Sequence, residues 1–147
     1  MKAVLHADGG ARGNPGPAGI GVVLLDESGC ALDEISESIG SATNNVAEYR
    51  ALIAGLELAL RHGISELAVY MDSELVVSQM KGAWKIKNDR LRHLASRASS
   101  LLGRFDAATI SHVPRERNAD ADALANQAMD EAALTDDAGA GPASLFE

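Results

Sequence analysis

The order of the predicted strands and helices constrains the fold of this chain more than any other feature. Residues 2–8 alternate between apolar and polar, which is the period of a strand, and further strand-like stretches follow at 19–25 and 30–39. The residues between these two stretches, 26–29, fit a turn, so the second and third strands form a hairpin. The glycines and prolines of 9–17 argue against helix or regular strand there. The chain therefore begins as an antiparallel sheet.

Helices enter only in the second part of the chain. Apolar side chains repeat at helical spacing over residues 46–62, and Gly63 is a natural stop. Asn44 and Asn45 are the predicted N-caps of this helix. The remaining predicted elements are strands at 67–71 and 107–113 and helices at 73–80, 89–102 and 119 to about 133. This order predicts an α/β fold with a mixed sheet, antiparallel in its first part and parallel in its second, covered by helices.

Length and composition predict one globular domain of the 147 residues, 46% of which are hydrophobic. The single cysteine, Cys30, excludes an internal disulfide and a Cys-based zinc site. No apolar run approaches the ~18 residues of a membrane span, and the N-terminus lacks a secretion signal, so we expect a cytoplasmic protein. The domain is predicted to cover residues 1–133, and residues 134–147, with three acids and no Lys or Arg, to form a flexible acidic tail.

The distribution of charge bears on the kind of partner. A net charge of −8 argues against a nucleic-acid partner when the chain is taken as a whole. The charge is uneven, however, because residues 81–97 carry six basic residues and one acid. Such a basic patch is as consistent with a solvated helix face as with a surface for phosphates.

Four acids stand where a structural role accounts for them poorly or only in part. Asp8 ends the first strand, and Asp is depleted in strands. Asp72 ends an apolar strand directly before a helix, where capping is an alternative role. Glu48 fits a capping box but also lies at the edge of the apolar face of its helix. In the last helix the dipole explains Asp120 better than Asp122, so we assign function to Asp122.

Carboxylates that converge repel one another unless cations neutralise them. An all-oxygen set of ligands suits Mg²⁺ or Mn²⁺. Two such ions about 4 Å apart can clamp a phosphodiester, with one activating water and the other stabilising the leaving oxygen. The spacing along the chain leaves open whether the four acids converge.

Four segments, in this order, resemble the motifs of type I ribonuclease H: 8–19, 43–48, 70–73 and 118–125. The resemblance covers about residues 2–129. It implies a five-stranded mixed sheet with helices on both faces. It also implies an endonuclease that hydrolyses the RNA strand of RNA–DNA hybrids, leaving 5′-phosphate and 3′-hydroxyl ends. The metal-binding carboxylates of the family match Asp8, Glu48, Asp72 and Asp122.

The resemblance also implies residues that contact the hybrid. Asn14, Asn44 and Asn45 match positions near its minor groove. The backbone of the glycine-rich loop around Gly10 is expected to approach the RNA, whose 2′-hydroxyl is the chemical discriminator.

The resemblance suggests two candidates for a further catalytic role. His112 stands where many bacterial members carry a histidine that assists catalysis or product release. A side chain that simply points outward is the alternative interpretation of His112. Compact members use an arginine in the following loop, where this chain has Arg115.

The chain departs from the longer bacterial members in lacking their basic insertion after the third motif. Trp84, Lys85 and Lys87 would supply a smaller surface for stacking and phosphate contact. Glu74 stands where a neutral glutamine is often seen, and an acid there weakens contact with nucleic acid. We expect a monomer that acts on RNA–DNA hybrid and has no membrane partner.

Two other functions compete with a nuclease. A non-catalytic nucleic-acid-binding module on the same fold is the alternative, since folds do not fix function. Loss of catalysis would replace at least one of the four acids, and none is replaced. A phosphoryl-handling domain of the actin-like class would need a longer, duplicated chain and a second glycine-rich phosphate loop, and this sequence has neither.

Overall fold

The computed structural model describes residues 1–140 of the chain. Its strands are β1 (Lys2–Ala11), β2 (Gly16–Asp26), β3 (Ala31–Ala42), β4 (Glu66–Met71) and β5 (Ala107–His112). Its α-helices are α1 (Asn44–Arg61), α2 (Glu74–Met80), α3 (Asp89–Leu102) and α4 (Ala119–Ala140), and a 3₁₀ turn covers Arg115–Arg117. Within residues 1–140, no helix combines the length and the apolar character needed to cross a membrane.

The strands form one sheet in the order β3-β2-β1-β4-β5, which confirms the predicted mixed sheet. β1 pairs antiparallel with β2, and β2 with β3, whereas β1 pairs parallel with β4, and β4 with β5. β1 is therefore central, with its carboxyl end beside that of β4. Residues that follow these two strands meet at one edge of the sheet, which is where α/β proteins collect their ligands.

Helices cover both faces of the sheet. On one face, Gly55 of α1 lies against the side chain of Leu5 in β1, and α3 packs on the outside of α1. On the other face, α4 packs on β1, β2 and β3. There a side chain at Gly21 would overlap the carbonyl oxygen of Ala121, so the glycine lets α4 approach the sheet closely.

The structure corrects several predicted boundaries. β1 continues through residues 9–11 and β2 begins at Gly16, so only residues 12–15 form the loop that was expected over 9–17. The extra residues pair across the hairpin, and Gly10 faces Gly19. Glycine has no side chain to obstruct such pairing, which is why its presence did not end the strand.

The predicted caps of α1 are also wrong. Thr43 is the N-cap, and its hydroxyl accepts a hydrogen bond from the backbone N–H of Val46. Asn44 and Asn45 are instead the first two residues of the helix.

The last helix continues past about Ala133 through Ala140, the last residue that the structure describes. Adding a residue to an existing helix costs little, and no proline lies between Ala119 and Ala140. Residues 141–147 lie outside the described part of the chain. The division into a domain of residues 1–133 and a flexible tail therefore stays a prediction.

Candidate metal centre

Three carboxylates meet just beyond the last paired residues of β1 and β4, with Asp8 still inside β1. Asp8, Glu48 and Asp72 each offer one oxygen atom, and these atoms lie within 4.8 Å of one another. Asp8 and Glu48 are buried, and Asp72 is half-buried. β1, α1 and the end of β4 thus bring together acids that are far apart in the sequence.

Glu48 reaches the cluster because α1 contacts β1 at a glycine. A side chain at Gly9 would overlap the backbone carbonyl of Ala47, so only glycine allows this approach. The backbone N–H of Gly9 donates to Oε1 of Glu48 at 2.6 Å. The structure shows no capping box at Glu48, since Thr43 caps the helix and the carboxylate turns to the neighbouring strand.

Asp72 is left available by its neighbour. Ser73 is the N-cap of α2, and its hydroxyl accepts from the backbone N–H of Val76. The capping role considered for Asp72 therefore belongs to Ser73. A hydrogen bond from Ser73 to Glu48 opposes, in small part, the burial that raises the pKa of that carboxyl.

Asp122 lies beside the three clustered acids and outside their 4.8 Å group. Its carboxyl contacts that of Asp8, and Arg115 Nη2 donates to its Oδ1 at 3.2 Å. Asn126, one turn further along α4, donates to its Oδ2 at 3.2 Å. Asp120 is exposed and borders a different hollow. Of the two neighbouring acids, Asp122 is the one that faces Asp8.

The electrostatics of the cluster favour a bound cation. Burial raises the pKa of Asp8, and the charge of Glu48 and contact with Asp122 raise it further. Burial likewise raises the pKa of Glu48, against the opposing effect of the Gly9 N–H. A divalent cation that prefers oxygen ligands would offset both burial and repulsion. The donor set therefore fits a hard cation such as Mg²⁺ or Mn²⁺.

A cleft of about 230 Å³ opens beside Asp8 and Asp122. Besides these two acids, three predicted residues line it, namely Gly10, Asn44 and Arg115. Asn14 lies next to this cleft and accepts a hydrogen bond from the backbone N–H of Asn44 at 3.0 Å. Oδ1 of Asn44 in turn accepts from the N–H of Ala11 at 2.8 Å. These bonds fix the glycine-rich loop against the start of α1.

The other predicted residues do not line this cleft. All five are exposed: Asn45, Trp84, Lys85, Lys87 and His112. Across residues 1–140, no hydrogen bond or ion pair joins their side chains to the four acids.

Several residues that the sequence analysis did not assign to the site stabilise the segments that form it. Asn126 lies four residues after Asp122, and this helical spacing was a usable signal. Arg12 pairs with Asp130 at 2.6 Å and so ties the β1–β2 loop to α4. Asn118 buries its side chain against β1, which no local pattern indicates.

Comparison with known proteins places this arrangement in a family. Residues 6–128 match a family model described as reverse transcriptase-like. The chain is 50% identical over 130 residues to ribonuclease HI of Halobacterium salinarum, covering 87% of this chain and 65% of that protein. The solved RNase H1 structure from this archaeon has a TM-score of 0.87 and 46% identity, covering 89% of this chain and 99% of that one. The chain belongs to the type I ribonuclease H family.

Two further ribonuclease H structures are similar. The N-terminal RNase H domain of a Mycobacterium tuberculosis protein has a TM-score of 0.90 and 52% identity, covering 92% of this chain and 98% of that chain. A compost-metagenome RNase H1, solved in complex with RNA/DNA hybrid, has a TM-score of 0.84 and 47% identity, covering 88% of this chain and 98% of that chain.

The M. tuberculosis protein itself is longer than this chain. Named a bifunctional protein, it is 53% identical over 146 residues. The match covers 99% of this ribonuclease H chain and 40% of that protein, so the chain spans less than half of this relative's length.

Proposed function

We propose that this ribonuclease H domain hydrolyses the RNA strand of RNA–DNA hybrids endonucleolytically, leaving 5′-phosphate and 3′-hydroxyl ends. The observation that carries the proposal is the cluster of Asp8, Glu48 and Asp72, with Asp122 beside it, at the strand edge of a ribonuclease H fold. The hybrid bound to the similar compost RNase H1 supports the choice of substrate.

The three clustered acids would hold Mg²⁺, or Mn²⁺ in its place, and Asp122 would complete a two-ion site with substrate. When bound, such ions supply activation of the attacking water and stabilisation of the leaving 3′-oxygen. The chain's own contribution is orientation. Gly9 holds Glu48 through its N–H, and Asn126 and Arg115 hold the carboxylate of Asp122.

Two groups of residues would recognise the hybrid: the asparagines beside the acids and the exposed segment between α2 and α3. The Asn14–Asn44 pair presents side-chain amides beside the acids, where they can bond to sugars and base edges in the minor groove. Asn45 follows on the exposed first turn of α1. The 2′-hydroxyl of RNA distinguishes the strand to be cut.

The exposed segment between α2 and α3 would contact the other strand. Trp84 offers a ring for stacking, and Lys85 and Lys87 offer charges to phosphates. Gln79 anchors the segment, because its Nε2 donates to the carbonyl of Lys85 and its Oε1 accepts from the hydroxyl of Tyr49. The anchor would keep the basic segment at a fixed position relative to α1.

Arg115 is favoured over His112 as the assisting residue. Its guanidinium contacts Asp122 directly, whereas His112 lies exposed at the end of β5. The predicted monomeric state and cytoplasmic location remain part of this proposal.

The deciding experiment is cleavage of an end-labelled RNA–DNA hybrid with and without Mg²⁺. Duplex DNA of the same sequence and the Asp8→Asn variant serve as controls. Cleavage of the RNA strand that requires both Mg²⁺ and Asp8 is the expected result. Binding of the hybrid without cleavage at any Mg²⁺ or Mn²⁺ concentration would favour the non-catalytic binding module instead.

A further inference from the structure

His6, Tyr70 and Asn118 form a cluster of polar and aromatic side chains close to the acids in the sequence. His6 and Tyr70 are paired residues of β1 and β4, and their rings stack with centroids 5.4 Å apart and planes 28° from parallel. Nδ1 of His6 lies 3.0 Å from Oδ1 of Asn118, which is 1% exposed. Nδ2 of Asn118 donates to the carbonyl oxygen of Ala7 at 3.0 Å.

The hydrogen bonds fix the orientation of both side chains. The carbonyl of Ala7 can only accept, so the amide nitrogen of Asn118 must face it. Oδ1 of Asn118 then faces His6, and Nδ1 of His6 is the donor of that bond.

Each member of the cluster stands shortly before one of the acids in the chain. His6 precedes Asp8 by two residues, and Tyr70 precedes Asp72 by two. Asn118 precedes Asp122 by four, and its carbonyl accepts the backbone N–H of Asp122 at 3.0 Å. One side-chain cluster therefore links the three segments that carry these acids.

The link matters most for Asp122. The pairing of β1 with β4 extends to His6 and Tyr70, so Asp8 and Asp72 both lie two residues beyond the last pair. The backbone bonds of α4 are internal to the helix, so they give its first turn no fixed position relative to the sheet. Close packing at Gly21 and a hydrogen bond from the hydroxyl of Ser36 to the carbonyl of Leu124 hold α4 on the sheet from Ala121 onward. The buried amide of Asn118 joins the start of the helix to β1.

We propose that Asn118 and His6 are positioning residues that set the distance between Asp122 and the cluster of Asp8, Glu48 and Asp72. The inference rests on the proposed function of these acids as a metal-dependent nuclease centre. A displacement of Asp122 by even 1 Å lowers the rate, because reacting groups must be held in a narrow range of geometry.

Two variants test the proposal. Asn118→Ala removes both hydrogen bonds, and His6→Phe removes the Nδ1 donor while keeping a ring against Tyr70. We expect each to lower kcat at saturating Mg²⁺ and hybrid by at least about tenfold, with KM for hybrid changed less than about twofold. Mn²⁺ affinity, measured by calorimetry without substrate, should also fall in both variants. The variant with the lower kcat should have the lower Mn²⁺ affinity.

Asp26→Ala is the matched control. It removes the bonds that Oδ1 accepts from Ser28 and Cys30 at the β2–β3 turn, at the far end of the sheet. It should lower the melting temperature and leave kcat and Mn²⁺ affinity at the wild-type values.

Wild-type kcat and Mn²⁺ affinity in folded His6→Phe, or equal losses in the Asp26→Ala control, would overturn the proposal. His6→Phe decides the matter if Asn118→Ala does not fold. If the wild-type protein binds Mn²⁺ but cleaves no hybrid, the proposed function fails. The calorimetric comparison of the variants then still tests the positioning role.

Discussion

The backbone N–H of Gly9 and Oε1 of Glu48 are 2.6 Å apart, and this contact joins the first strand to the first helix at the acid cluster. It exists because position 9 has no side chain. A methyl group there would meet the carbonyl of Ala47 and push the first turn of α1 away from β1.

Gly9→Ala should therefore remove activity and stability together. Overpacking of this kind costs about 1–3 kcal/mol, measurable as a lower urea midpoint, and Glu48 would move away from Asp8. Gly103→Ala is the control, because its added Cβ would lie 3.5 Å from the carbonyl of Ser100, an ordinary contact. Wild-type cleavage by Gly9→Ala would mean that α1 can shift without disturbing the site.

Asp8→Asn should abolish cleavage and stabilise the metal-free protein. Burial and neighbouring carboxylates hold the folded-state pKa of Asp8 above its usual value of 3.8. Its ionisation therefore lowers the free energy of unfolding as pH rises from about 4 through the folded-state pKa. Each pKa unit corresponds to about 1.4 kcal/mol, and the amide variant removes this loss at pH 7.

Melting temperatures in EDTA between pH 5 and 8 would check the sign of this effect. Asp26→Asn is the control of opposite sign, since hydrogen bonds from Ser28 and Cys30 hold the pKa of Asp26 below its usual value. That variant should lose stability above about pH 4. A melting temperature of Asp8→Asn at or below the wild-type value at pH 7 would contradict the raised pKa.

Asp120→Asn and Asp122→Asn form a matched pair in one helix. Asp122 contacts Asp8 and two donors, whereas Asp120 is exposed. We expect Asp122→Asn to lose most of its kcat, on the order of 100-fold or more, and Asp120→Asn to keep most of it. The reverse result in the hybrid cleavage assay would remove Asp122 from the proposed site.

Lys85→Glu with Lys87→Glu should raise KM for hybrid and reduce its salt dependence. Both lysines are exposed beside Trp84, so their charges would act on phosphates rather than on the reacting bond. Arg61→Glu with Arg104→Glu makes the same change in net charge at the opposite end of α1 and should leave KM nearly unchanged. Equal effects of the two pairs would indicate that only the overall charge matters.

Truncation after Ala133 should preserve both folding and cleavage. Ala132 is buried and Leu134 is 69% exposed, and residues 134–147 are the predicted acidic tail. Truncation after Gln127 is the contrasting variant, because it also deletes the buried residues Ala128, Met129 and Ala132 and the partner of Arg12, Asp130. Unfolding of the Ala133 truncation would place the domain boundary further along the chain.

Local patterns in the sequence predicted the elements well but not the contacts between them. The helix Asp89–Leu102 has the predicted bounds, and Gly103 is its C-cap. Thr43, and not Asn44 or Asn45, is the N-cap of α1. Several polar residues stand at this point of the sequence, and the backbone conformation decides which of them caps the helix. The helix beyond residue 133 went unpredicted because a polar composition does not end a helix already formed.

The candidate site shows the same difference between local patterns and long-range contacts. The four acids were identifiable as candidates because a local role accounts for each of them poorly or only in part. The Gly9–Glu48 bond and the burial of Asn118 were not, because each joins segments separated by many residues. Such contacts depend on how α1 and α4 pack on β1, which short sequence patterns do not encode.

The central place of β1 also governs when the proposed nuclease centre can exist during synthesis. A chain that emerges N-terminus first can pair β1 with β2 early, but the other edge of β1 waits for β4. Asp122 arrives later still, on the last helix. Contacts of such long sequence separation form slowly. A nascent chain on the ribosome, surrounded by RNA, would therefore hold an incomplete set of acids until nearly all of the domain has been made.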